Sequence, residues 1–332
     1  FTPCVLRKFI TLSVIFCMMI ISFPIVAFIV FNSEIGNEIN FDFPIKDYDF
    51  FIGGISYVIP FEFELGDAFI VVWCTFLVLF SIAILGPKKD FLSVVTSLLS
   101  FGKNLTDSNY LATIIKWFTV IIVISGIINF VQESIDVTIQ PPEPKNRLIQ
   151  FYGVSAAAIV EEIGFRVLLI GVPLFFMYSR KASGRFFLKS LWNPSETLNI
   201  EKYAKVLPLI VAVGIFFGVA HVISGDPWSV GKITQAAASG IIIGWVYFRY
   251  GLLPAILIHW ATNYFIFTYA FLVSYTNDVS VQSAFSHSFI ATLEILFVIT
   301  GAISIAILAI NYLGSRKEEK LKILIGIDTS GS

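Results

Sequence analysis

Glu161-Glu162-Ile163-Gly164-Phe165-Arg166 places three ionisable side chains inside an apolar run, Phe151 to Tyr178. An ionised side chain at the centre of a membrane helix costs about 2.5–3.5 kcal/mol on the insertion scale. A chain that keeps three of them so close uses them or pairs them. Glu162 and Arg166 are four residues apart, on one helix face, so they can pair directly. Glu161 is rotated by about 100° from Glu162. It is therefore not held by that pair and can face a neighbouring helix. A dry site with a second carboxylate beside it suits Glu161 to accept a proton near neutral pH. The plainer alternative is a buried ion network that only locks helices together.

The histidines sharpen this reading. There are three: His221, His259 and His287. His287 sits between Ser286 and Ser288 and reads as surface. His221 and His259 fall inside apolar spans, where ionisable groups are functional candidates. Asn263 follows His259 by four residues, so both leave their helix on the same side. A histidine and an asparagine side by side are donors suited to an oxyanion. Phe217 precedes His221 by four and can pack beneath its imidazole.

These residues need a membrane scaffold. The 332-residue chain is 57% hydrophobic and only 14% charged, with a mean hydropathy of +0.84. Soluble domains average about 25% charged residues. The fold class expected is all-α: a polytopic membrane bundle of about eight transmembrane helices. The spans read Phe9 to Phe31, Ala68 to Gly86, Tyr110 to Val131, Phe151 to Tyr178, Val206 to Ile223, Ile233 to Phe248, Leu252 to Tyr275 and Phe289 to Leu313. Pro173 should end or kink the fourth near Val172. Phe91 to Phe101 is too short to cross and suits the interface. Gly214 and Gly218, and Gly240 and Gly244, have the small-xxx-small spacing that lets helices touch in lipid. Residues 1–147 form an N-terminal portion with three spans, 148–275 the core bearing the cluster, and 276–332 the last span and tail.

Eight spans put both termini on one side. Arg7/Lys8, Lys88/Lys89, Arg180 to Lys189, Arg249 and Arg316 to Lys320 all fall there. Asn32 to Asp67, with eight acidic residues against one lysine, falls on the other side. The positive-inside rule makes the basic side, and both termini, cytoplasmic. No basic patch with interleaved aromatics suggests nucleic acid. Cys4, Cys17 and Cys74 lack metal-ligand spacing and read as small core residues. One tension remains. Straight spans would put Glu161 near mid-membrane, His259 nearer the cytoplasmic end and His221 near the far end.

Glu-Glu-x-x-x-Arg at 161–166, Phe-x-x-x-His at 217–221 and His-x-x-x-Asn at 259–263 occur in that order, each on its own span. The pattern resembles the CPBP (Abi) intramembrane proteases, which include type II CAAX prenyl endopeptidases. The resemblance covers about 148–275. It implies an eight-helix fold and peptide-bond hydrolysis with no cofactor and no metal. Glu161 with His221 would activate water. His259 and Asn263 would stabilise the oxyanion, and Glu162 and Arg166, with Phe217, would support the site. The implied partners are membrane lipid and a peptide or protein substrate, C-terminally prenylated ones included. The implied location is a membrane, a prokaryotic plasma membrane ahead of an endomembrane. Two other classes compete: a zinc protease using Glu161, His221 and His259, which lacks a His-Glu-x-x-His helix, and a non-enzymatic transporter or scaffold using the cluster as proton relay or lock.

Overall fold

The computed structural model describes residues 21, 24–29, 32, 42–52, 55–101, 106–137, 147–179, 183–223, 228–280, 283–284 and 286–325. Most of the first predicted span lies outside them, as do Pro141, Pro142 and Pro144 of the loop before the fourth.

The acidic segment departs from an all-helical reading. β1 (Pro44–Ile52) and β2 (Ile55–Glu64) form an antiparallel hairpin, pairing Ile52 with Ile55 and Pro44 with Glu64. Tyr, Phe and Ile in both runs, with Val58 in β2, supply the β-propensity. Apart from the hairpin, the elements among the described residues are helical. β2 leads directly into α1 (Leu65–Leu85). The face of α1 carrying Ile70, Val71, Leu77, Val78 and Leu85 is exposed, as expected of a helix whose outer face meets lipid. The segment Phe91–Phe101, expected to be too short to cross, is the short helix α2. Asp90 begins it. The hydroxyl and backbone N–H of Ser93 donate to its carboxylate and hold the carboxyl below its ordinary value.

The remaining helices are α3 (Tyr110–Glu133), α4 (Arg147–Glu161), α5 (Val172–Tyr178), α6 (Gly184–Trp192), α7 (Pro194–Thr197), α8 (Leu207–Ile223), α9 (Lys232–Tyr250), α10 (Leu252–Asn277) and α11 (Ser288–Ile325). Between α4 and α5 the backbone is π-helical, Glu162–Gly171. Pro173 lies in the first turn of α5, so the change of helical register falls at Val172. The basic segment after it holds α6 and α7. Tyr247 reaches over from α9 and donates to the Leu191 carbonyl at 2.8 Å. Gly171 admits that hydroxyl, because a Cβ there would collide with it.

Among the described residues, four helices are long and apolar enough to cross a membrane: Leu65–Leu85, Tyr110–Glu133, Leu252–Asn277 and Ser288–Ile310. Leu207–Ile223 is a shorter apolar helix. The protein is thus an integral membrane protein of helical type, with fewer self-evident spans than the eight expected. α10 is its buried centre. Trp260 packs against Phe76 and Phe80 of α1, with ring centroids 5.2 Å from each, and stacks on Tyr264 at 4.3 Å.

α8 and α9 meet backbone to backbone. A Cβ on Gly218 would lie 2.5 Å from the Ile233 carbonyl oxygen and 2.8 Å from Ala237 Cβ. One on Gly240 would lie 3.1 Å from the Gly214 oxygen. Gly218→Ala should therefore push the helices apart and cost about 1–3 kcal/mol, read as a lower unfolding temperature in detergent. Gly126→Ala on α3 meets nothing within 4 Å and should be neutral or stabilise by up to about 1 kcal/mol. Equal unfolding temperatures for the two variants would contradict the close approach.

Candidate active site

The π-helical stretch begins on Glu162, within the charged motif. π-helical turns are rare and recur at functional sites. Glu162 is 0% exposed and Arg166 1%. Arg166 Nη1 lies 3.2 Å from Glu162 Oε1, so the expected pair forms. Among the described residues Nη1 makes no hydrogen bond, and Nη2 donates to the Gly240 carbonyl at 3.4 Å. The guanidinium is covered by Phe217, whose ring centroid is 4.3 Å from Cζ. Phe165 braces that ring edge-on at 5.0 Å.

Phe217 also resolves the depth conflict. Its ring is edge-on to His221 at 4.6 Å and to His259 at 5.8 Å. One side chain on α8 therefore touches both imidazoles and the arginine. Spacing suggested only its contact with His221.

The tautomers follow from the partners. His221 Nδ1 is 2.8 Å from the Phe217 carbonyl oxygen. A carbonyl only accepts, so Nδ1 carries the hydrogen and neutral His221 keeps Nε2 as an acceptor. His259 Nδ1 donates to Glu162 Oε1 at 2.8 Å. Its Nε2 lies 3.6 Å from Glu161 Oε2, beyond hydrogen-bonding distance. Glu161 Oε2 is buried and bonded to nothing among the described residues. Yet its side chain as a whole is 23% exposed, whereas that of Glu162 is 0% exposed. The two adjacent glutamates are thereby separated: one is enclosed between Arg166 and His259, the other is open on one side.

Asn263 lies one turn after His259 on α10 and is half-buried. Among the described residues no hydrogen bond ties its side chain to the cluster. His287 stands apart, half-buried, accepting from the Phe289 N–H at 3.2 Å. Glu161, Glu162, Arg166, Phe217 and His259 are thus in direct contact, and His221 joins them through Phe217. Among the described residues no three His, Cys, Asp or Glu side chains are grouped to hold a metal ion.

Sequence reasoning passed over Lys232 and Trp228, at the mouth of α9. Lys232 is half-buried, with its ammonium 4.3 Å above the Trp228 ring and donating to Gln235 Oε1 at 3.0 Å. A lysine flanking an apolar run reads as an interfacial anchor, and no spacing tied it to His221.

No curated protein matches this chain. No solved structure matches it either. A family model does match, that of the Rce1-like type II CAAX prenyl endopeptidases, over residues 144–265. The match begins four residues before the core boundary expected from the motifs and ends ten before the other. All seven candidate residues fall inside it. Over residues 144–265, therefore, this chain is similar to the Rce1-like type II CAAX prenyl endopeptidases.

Proposed function

We propose that the protein is an intramembrane endopeptidase that hydrolyses peptide bonds with water activated by Glu161 and His221. The observation that carries this reading is the contrast between the two glutamates. Glu162 is fully enclosed with Oε1 held by His259 and Arg166, while the Glu161 side chain is 23% exposed and its Oε2 faces His259 across 3.6 Å. A carboxylate held so can take a proton from water. Nε2 of neutral His221 is the second acceptor.

In the reaction, the water oxygen attacks the scissile carbonyl carbon as its proton passes to Glu161. Negative charge collects on the carbonyl oxygen. Asn263, through its amide, and His259, through Nε2–H when protonated, are the donors assigned to it. The C–N bond then breaks and the proton goes to the leaving amine. Glu162, Arg166 and Phe217 hold His259 in register. The family resemblance points to peptide or protein substrates within the membrane, prenylated C-termini among them.

Glu161→Gln keeps shape but cannot take the proton, so cleavage should be lost while the unfolding temperature holds. Glu162→Gln should lower both, because it leaves a buried arginine unpaired, a defect that costs about 3–5 kcal/mol. Wild-type cleavage should persist in excess chelator. Peptide products followed by mass spectrometry, beside thermal unfolding, check all three. Near-normal turnover by Glu161→Gln removes its role.

Asn263→Ala should lower kcat by about 10²–10³ with KM little changed, because an oxyanion donor acts mainly in the transition state. Asn263→Asp should be worse, since a carboxylate repels the developing charge. A raised KM at constant kcat would make Asn263 a substrate-positioning residue instead.

The basic segments, and with them both termini, are assigned to the cytoplasm, and the hairpin to the opposite side. Cysteines placed at Ser183 and Asp47 should label from opposite faces of sealed vesicles. Labelling from one face would remove this topology.

A further inference from the structure

Three features meet at the start of α9. First, Gly218 presses the last turn of α8 against Ile233, so the first turn of α9 lies beside the turn that carries His221. Second, the Trp228 N–H donates to the His221 carbonyl at 3.0 Å, which ties the residue under Lys232 to the candidate histidine itself. Third, Lys232 is a half-buried cation whose partners are neutral: the Trp228 face at 4.3 Å and Gln235 Oε1 at 3.0 Å. Among the described residues it makes no ion pair with any carboxylate. Glu161 and His221 nevertheless lie within electrostatic reach of it.

A half-buried ammonium is costly without an anion. Two of its three hydrogens have no acceptor assigned by the contacts above. The other cation of the site, Arg166, is fully enclosed and engaged with Glu162, and substrate cannot reach it. Lys232 is the half-open one, and it stands beside the histidine that would handle water.

We propose that Lys232, seated on Trp228, is a substrate-binding residue that receives a carboxylate of the peptide flanking the scissile bond. This rests on the peptidase reading of the same site. The carboxylate is either a free chain terminus or an acidic side chain. Both offer the acceptor oxygens that an ammonium recognises as a point charge. A cationic subsite so close to Glu161 also keeps an anionic substrate from being repelled by the site's own carboxylate.

Three peptides of one sequence distinguish the sources: a neutral C-terminal amide, the same peptide with a free terminal carboxylate, and the amide with one Asn replaced by Asp. Binding is measured on the full chain bearing Glu161→Gln, with turnover by wild type measured separately. One of the two anionic peptides should bind about tenfold tighter than the neutral one, the scale of a charge-assisted hydrogen bond. With Lys232→Gln added, that ratio should fall to about one. Using the ratio cancels any general loss of affinity. Equal binding of all three peptides overturns the proposal, as does a ratio that survives Lys232→Gln. A second measurement needs no variant. Carbodiimide coupling of the bound peptide to wild-type protein joins its carboxylate to an adjacent amine with loss of water. The cross-link should map to Lys232, and mapping to another lysine overturns the assignment. Discrimination without any turnover would instead count against the peptidase reading and leave the subsite standing.

Discussion

A carboxylate with no exposed surface governs this structure. Glu162 is completely enclosed, and an uncompensated charge there would be prohibitive. Two groups compensate it. Arg166 comes from the same helical segment, His259 from α10. The first contact is local and any helix could provide it. The second requires α10 to be held against the π-helical stretch at a fixed depth and rotation. Much of the packing serves that requirement, from Trp260 wedged against α1 to Phe217 laid across the guanidinium.

Phe217 can lie there because α8 and α9 approach without side chains between them. Gly214, Gly218 and Gly240 remove the Cβ atoms that would hold the helices apart. The same absence of bulk at Gly240 lets the Phe217 ring pack close: a Cβ there would sit 3.0 Å from its Cδ1. The Gly240 carbonyl then accepts from Arg166. Helix packing and site assembly are therefore one arrangement. In lipid, where apolar burial gives helices little reason to associate, such close contact and the polar pair supply the attraction.

How much of this was legible in the sequence depended on the range of the interaction. Glu162 with Arg166 is a four-residue relation within one helix, so spacing alone revealed it. Helix extents along α3, α8, α9 and α10 followed from apolar run length to within a few residues. The contact of Glu162 with His259 joins residues 97 apart, and no local pattern encodes it. The apparent mismatch in depth between His221 and His259 came from treating spans as straight and parallel. The π-helical backbone was invisible because apolar residues line that run on all sides and mark no period. The hairpin was a different failure. Gly53-Gly54 between two runs rich in Tyr, Phe, Ile and Val is a hairpin signal. The acidic residues interleaved on the same strands mask that signal, because they give the segment the charge pattern of a solvated loop.

Adjacent glutamates in an apolar segment would ordinarily repel each other. Here the wider π-turn and the two neighbouring helices give them different surroundings. Glu162 accepts from a histidine and faces an arginine, so its charge is committed within the protein. Glu161 is not enclosed in this way: its side chain is 23% exposed and meets the histidine only at 3.6 Å. Two carboxyl groups with opposed environments can take opposed roles, one orienting and one exchanging protons. His259 connects them, with Nδ1 on the committed carboxylate and Nε2 toward the other. Any shift of Glu162 must therefore move the imidazole relative to Glu161. The enclosed ion pair sets the surroundings of the open carboxylate through that ring, so a fully buried group governs the position of the imidazole that the half-open one faces.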